Sequence, residues 1–267
     1  MVRTPAADIL HPRAPWAWAG AGLAVGVALA LLLFAPARWL ASAVTWATEG
    51  RVVMQAARGT VWRGSAQWVL AGGSGSRDAV ALPSRLSWRV QPGVQGLRVT
   101  LYASCCTPEP IAVNLQVHWR ELTIAIDDGA PSHWPAALLA GLGTPWNTVR
   151  LDGRLQLTTR ELVLHGRPQA LQMQGQVELL ALDMTSSLTT LRPMGSYRLT
   201  LEGGPVPTLR LVTLAGGLQV TGSGQWQGAR LRFSGEAHTE PGREAVLAHL
   251  LNLIGRREGA RSIITLG

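Results

Sequence analysis

The sequence predicts a mainly β protein: a single N-terminal transmembrane helix, then a curved, sandwich-like antiparallel β-sheet with two short helices. Three observations predict it. A stretch near the N-terminus carries no charge, apolar and polar residues alternate with period two from residue 60 onward, and glycine recurs at one place in that alternation. The chain has 267 residues, of which 47% are hydrophobic and 15% charged, the opposite of a disordered composition.

Residues 1–13 read as a cytoplasmic tail and residues 14–37 as the transmembrane helix. From Ala14 to Ala37 there is no charged side chain. Within it, Trp16 to Phe34 is about 19 residues, which as a helix spans roughly 29 Å, the depth of a bilayer's hydrocarbon core. Trp16 and Trp18 at one end and Trp39 at the other suit the membrane interface, because an indole has an apolar body and one N–H donor. Ala41-Ser42-Ala43 has the form of a signal-peptide cleavage site, the competing reading, but the apolar run before it is longer than such peptides use. Arg3 and Arg13 precede the span, which favours a cytoplasmic N-terminus and places the remaining chain outside the cytoplasm. Gly22 and Gly26, four residues apart, would let a second helix or a second copy approach closely.

Residues 38–50 read as a membrane-proximal helix, with Trp39, Leu40, Ala43, Val44 and Ala47 at helical spacing, suited to lie on the membrane surface. Residues 51–267 form the β domain. Ile111, Val113, Leu115, Val117 and Trp119 share one strand face, with Asn114, Gln116 and His118 on the other. Such alternation marks a sheet wetted on one side. Leu97 to Leu101, Val149 to Leu157 and Tyr197 to Leu201 repeat the pattern. The apolar parity switches at Arg120-Glu121 and again between Leu179 and Leu180, so a turn or a bulge is expected at each.

Gly153, Gly175 and Gly216 sit in a repeated apolar-x-Gly-x-apolar frame, 22 and 41 residues apart. A glycine on the apolar face permits a sharp bend or a close approach, hence a strongly curved sheet. The two helices are expected over Ser132 to Gly141, with Leu138, Leu139 and Leu142 inward, and Glu240 to Ile254, with Gly255 as its terminator. A last strand, Ser262 to Leu266, returns to the sheet.

The common hydrolase, zinc and nucleotide motifs are absent, so the sequence names no catalytic residue, metal ligand or cofactor. All the cations are Arg, and the formal net charge is +8. They scatter along the polar parity of strands with no basic block, which argues against nucleic acid and leaves weak attraction to anionic lipid headgroups. The 11 Trp read as core or interface fillers, Trp62, Trp68, Trp88 and Trp226 among them, and Trp119 lies on an apolar parity. Adjacent Cys105 and Cys106 leave three alternatives open: a vicinal disulfide, two thiols, or links between chains.

Several segments together resemble one known family. They are Gly59-Thr60-Val61-Trp62-Arg63-Gly64, the run from Gly141 to Thr148 leading into Leu151-Asp152-Gly153, Gly195-Ser196-Tyr197, Gly216-Gly217-Leu218, Gly222-Ser223-Gly224, Phe233-Ser234-Gly235 and Ile254-Gly255-Arg256. In order and spacing they resemble protein N of the general secretory pathway, the type II secretion system of Gram-negative bacteria. The resemblance implies a bitopic inner-membrane protein with a periplasmic β domain. It would be a non-enzymatic accessory of the machine that exports folded proteins, with other inner-membrane components of that system as partners. An anchored curved sheet with an apolar inner face also resembles lipid-handling bridge-like modules, which is the rival reading.

Overall fold

The computed structural model describes residues 16–267 except 74, 75, 77, 95, 120, 168, 169, 229, 241–245, 248, 249, 253, 254 and 260. The expected tail 1–13, the first two residues of the expected span and most of the Glu240 to Ile254 helix lie outside the described residues. The described chain separates into two units, the first ending at Ala35 and the second covering Pro36–Gly267.

The first unit is helix α1, Trp16–Leu33, an unbroken run of Ala, Gly, Val and Leu after its two Trp. Its 18 residues reach about 27 Å, slightly less than a full hydrocarbon core. Among the described residues no helix is long and apolar enough to cross a membrane. The helix stops short of the expected Ala37, which is buried as the first residue of α2, Ala37–Ala47.

Helix α2 packs one face, Leu40, Ala41 and Val44, on Met54, Ala66 and Trp88 of the sheet. Trp39, Ala43, Trp46 and Ala47, partly expected on a single apolar face with Leu40 and Val44, point outward instead. The physical reason is that the sheet claims the adjacent stripe of the helix.

Sixteen strands among the described residues form one sheet. They are β1 Val52–Gly59, β2 Arg63–Ala71, β3 Ala79–Ala81, β4 Leu86–Gly93, β5 Gly96–Ala103, β6 Ile111–His118, β7 Glu121–Ile126 and β8 Ser132–Pro135. After these come β9 Leu151–Arg167, β10 Ala170–Ser186, β11 Gly195–Glu202, β12 Thr208–Ala215, β13 Leu218–Gln227, β14 Arg230–Thr239, β15 Arg256–Glu258 and β16 Arg261–Leu266. The order is β1-β2-β4-β5-β6-β7-β9-β10-β11-β12-β13-β14-β16-β15, with β3 beside β2 and β8 beside β9. Nearly every neighbour is the next strand in sequence, so hairpin turns do most of the connecting.

The first expected parity switch falls between β6 and β7, where His118 pairs with Glu121. The second switch falls later than the sequence suggests, at Asp183, where φ is 52° and the registers with β9 and β11 both shift. Leu180 and Leu182 lie half-exposed opposite Leu179 and Ala181, which pack in the core. The bulge then returns Met184 to the inside.

Ser132 to Gly141 is not one helix. Ser132–Pro135 pairs with β9 as β8, and Ala136–Leu142 is a 3₁₀ helix with Leu138 buried but Leu142 exposed. Tight 3₁₀ winding eclipses residues three apart, so the stripe expected of an α-helix is lost. Val149, expected in a strand, ends the short helix α3, Trp146–Val149. Near the C-terminus, Val246, Leu247 and Leu250–Asn252 are helical, and Leu247, Leu250 and Leu251 fill the largest core cluster against Met184, Met194, Leu218 and Val220. Ser262 Oγ donates to the Leu251 carbonyl at 2.8 Å, tying that helix to β16.

Candidate functional site

The residues that carry the resemblance meet in the fold as sheet-bending joints. The largest runs across β9 to β13. Gly153 lies against Met184, and Met184 pairs with Gly195 across β10 and β11. Gly216 lies directly on Gly195, with φ at 117°, and a side chain at 216 would run into Gly195 Cα and Met194 O. Leu218 N–H donates to Met194 O at 3.0 Å, and Tyr197 Oη donates to Leu218 O at 3.2 Å. Two segments more than fifteen residues apart in sequence are thereby stitched into one crease over the core. Burial pushes the Tyr197 phenol well above its ordinary pKa, so it remains a neutral donor.

Beyond this crease β12 and β13 part. They pair only over Thr208–Leu211, and further along the Thr213 hydroxyl bridges them, accepting from Val220 N–H at 2.6 Å and donating to Val220 O at 2.9 Å. Gly175 marks a second bend, with φ at 84° beside a register shift and the carbonyls of Arg160 and Glu161 where its side chain would stand. Gly222 pairs with Gly235 and Gly224 with Phe233, whose ring lies over Gly222. Gly255 faces the carbonyl of Ile263 in β16, so close approach is what it serves.

The Gly59 to Gly64 segment is the β1–β2 turn. Thr60 N–H donates to Arg63 O at 2.9 Å, and Arg63 N–H donates to Thr60 Oγ1 at 3.1 Å. Trp62 O accepts from Val90 N–H at 2.7 Å. The Trp88 indole covers Gly64, where a Cβ would stand 2.5 Å from the ring, and donates to Val61 O at 3.0 Å. Trp88 is 24 residues downstream of Gly64, so no local pattern could have paired the two.

Beside this turn, on the face opposite the core, lies a cleft of about 580 Å³. Arg58, Arg63 and Arg89 line it with Tyr102 and no carboxylate. Arg63 stands directly across from Arg89 in the β2–β4 register, a like-charge pairing that favours an anion between them. Sequence reading missed this pairing because it exists only in the register.

Cys105 and Cys106 are bonded to each other in the turn after β5, with Cys106 buried and Cys105 exposed. Cys105 N–H donates to Ser84 Oγ, and His133 N–H donates to Cys106 O at 2.6 Å. Asn147 donates to Asp78 Oδ2 at 2.7 Å, fixing α3 near the start of β3. Gly22 and Gly26 lie on α1 with nothing within 4 Å. Among the described residues no group of three or more His, Cys, Asp or Glu is placed to hold a metal ion.

No curated protein and no solved structure matches the chain. The family model of the type II secretion system protein N matches residues 50–264, which takes in every joint described above and every strand apart from the last two residues of β16. That match covers most of the chain, and the chain belongs to the protein N family of the type II secretion system.

Proposed function

We propose that the chain is a non-enzymatic accessory of type II secretion, anchored in the inner membrane by α1, with the sheet in the periplasm. It supports export of folded proteins through contacts with other inner-membrane components of the system. The observation that carries this reading is the family match over nearly the whole β unit. Helix α1 supports the anchor: it is apolar throughout, and uncharged sequence continues past both of its ends, from Ala14 to Ala37. A span a few ångströms short is accommodated by local thinning of the bilayer. The Cys105–Cys106 bond agrees with an oxidising compartment.

Deleting the gene is expected to lower the amount of type II substrates in the medium, and the full chain is expected to restore it. Unchanged secretion in the deletion strain would refute the export role.

One observation favours the lipid-handling alternative. Leu97, Leu115, Ile124 and Leu164 form a cross-strand row on the core side of the sheet, outside the three buried clusters. Native mass spectrometry of the detergent-purified protein checks it: bound phospholipid or lipopolysaccharide supports lipid handling, and its absence supports scaffolding.

A further inference from the structure

Along much of the sheet, arginines meet carboxylates on the adjacent strand. Arg154 on β9 holds Asp183 on β10 at 2.7 Å, Arg198 on β11 reaches Glu178 on β10 at 3.4 Å, and Arg261 on β16 reaches Glu236 on β14 at 3.4 Å. The cleft beside the β1–β2 turn is built differently. Arg58 on β1 stands opposite Ser65 on β2, and Arg63, two residues before Ser65, stands opposite Arg89 on β4. Two residues along a strand are about 7 Å, and opposed side chains start closer still, so three guanidinium groups from three strands share one cleft of about 580 Å³. None of the three is ion-paired among the described residues.

A fourth cation adds to the field. Arg85 donates from Nη2 to Ala56 O at 2.8 Å and Ser65 O at 2.9 Å, and from Nε to Ser65 Oγ at 3.3 Å. Its charge is held by carbonyl and hydroxyl dipoles, not by a carboxylate. Ser65 Oγ accepts from Arg85 and so has its own proton left to donate, and Ser65 lines the cleft. Arginines on a polar sheet face are ordinarily just solvated, but that reading does not account for Arg63 set directly against Arg89. Like charges directly opposite destabilise a strand pair, and a counter-ion between them removes the penalty.

We propose that this cleft binds a phosphomonoester group or the phosphate ion itself, held between Arg63 and Arg89, with Arg58 and the Ser65 hydroxyl on its remaining oxygens. A carboxylate offers two oxygens, which a single guanidinium fork satisfies. A phosphate monoanion or dianion offers three and carries about 1.5–2 charges at neutral pH, so it can accept from several forks at once. The site lies wholly within the second unit and depends neither on the anchor nor on the export role.

The test is isothermal titration calorimetry of the full chain in a neutral maltoside detergent, at low salt and in phosphate-free buffer. The probes are inorganic phosphate and glycerol 3-phosphate. Both are expected to bind saturably, and Arg63→Gln with Arg89→Gln is expected to weaken them at least about tenfold, the scale of losing charge-assisted hydrogen bonds. Arg160→Gln with Arg230→Gln removes the same two charges from exposed positions outside the cleft and is expected to stay within about twofold. The Arg63/Arg89 double variant is expected to melt no lower than the native chain, since an opposed like-charge pair is gone. Arg58→Gln alone, which leaves that pair in place, is expected to weaken binding as well. Tighter binding of glycerol 3-phosphate assigns the site to an esterified phosphate such as a lipid headgroup, and equal binding assigns it to the free ion; either supports the inference. Absence of saturable binding by both probes, or equal loss in the two double variants, would overturn it. An acidic peptide that binds as tightly as glycerol 3-phosphate would mean a protein partner and would overturn it equally.

Discussion

Replacing Gly216 by valine is expected to cost at least about 3 kcal/mol of stability. The position has φ at 117°, where a residue with a side chain carries strain of about 1–3 kcal/mol. A Cβ there also runs into Gly195 Cα and Met194 O, which are backbone and cannot swing aside. Relieving the overlap would pull β12 away from β11, breaking the contact that brings Leu218 N–H onto Met194 O and Tyr197 onto Leu218 O. For a unit of this size, about 3 kcal/mol lowers the unfolding temperature by roughly 6–12 °C. The near-ultraviolet circular dichroism of the Trp residues, followed on heating the detergent-solubilised chain, checks it. Gly129→Ala is the control: nothing lies within 4 Å of Gly129, so a change within about 0.5 kcal/mol is expected. If Gly216→Val melts with the control, the joint does not hold the crease.

Leu247→Ala is expected to destabilise by about 3–5 kcal/mol, the range for a fully buried leucine truncated in a core that cannot collapse. Leu247 is completely enclosed with Leu251 and Leu250 among Met184, Met194, Leu218 and Val220. These neighbours come from the β10–β13 region, so their backbones are fixed by sheet ladders and cannot close on the cavity. The same thermal melt measures it, with Val246→Ala, one residue earlier and exposed, as the comparison. A loss no larger than that of Val246→Ala would mean that the C-terminal helix only rests on the sheet.

The two predictions share a cause. A sheet that curves strongly needs places where strands come closer than side chains allow, and it needs a plug for the volume it encloses. Gly216 and Gly195 serve the first need, and Leu247, Leu250 and Leu251 the second. The repeated glycine frame was legible because Gly stands out against alternating apolar residues, and the C-terminal helix because its leucines recur at helical spacing. The Trp88 cover over Gly64 and the Arg63–Arg89 opposition were not legible. Each joins residues separated by 24 or 26 positions, and nothing local in either segment encodes the partner.

Trp119 shows where alternation misleads. Its parity continues the apolar face of β6, but that face already opens to solvent inside the strand, where Val117 is 77% exposed, so parity alone does not bury the residue that follows the strand's end. Similarly, Leu180 and Leu182 mimic a switch of face that the backbone makes only at Asp183.

By itself the sequence determined the class of each segment: an apolar helical stretch, a β unit of alternating strands, bends at glycines, and kinship with a secretion family through the order of those glycines. Those are properties of short windows, set by side-chain period and by which residues tolerate a bend. Only the tertiary structure decided what faces what. Strand register set Gly216 on Gly195 and Arg63 across from Arg89, the sheet took one stripe of α2, and the turns left Val94 and Trp119 outside. Register and packing are long-range choices, made by the sum of the core rather than by any window of the chain.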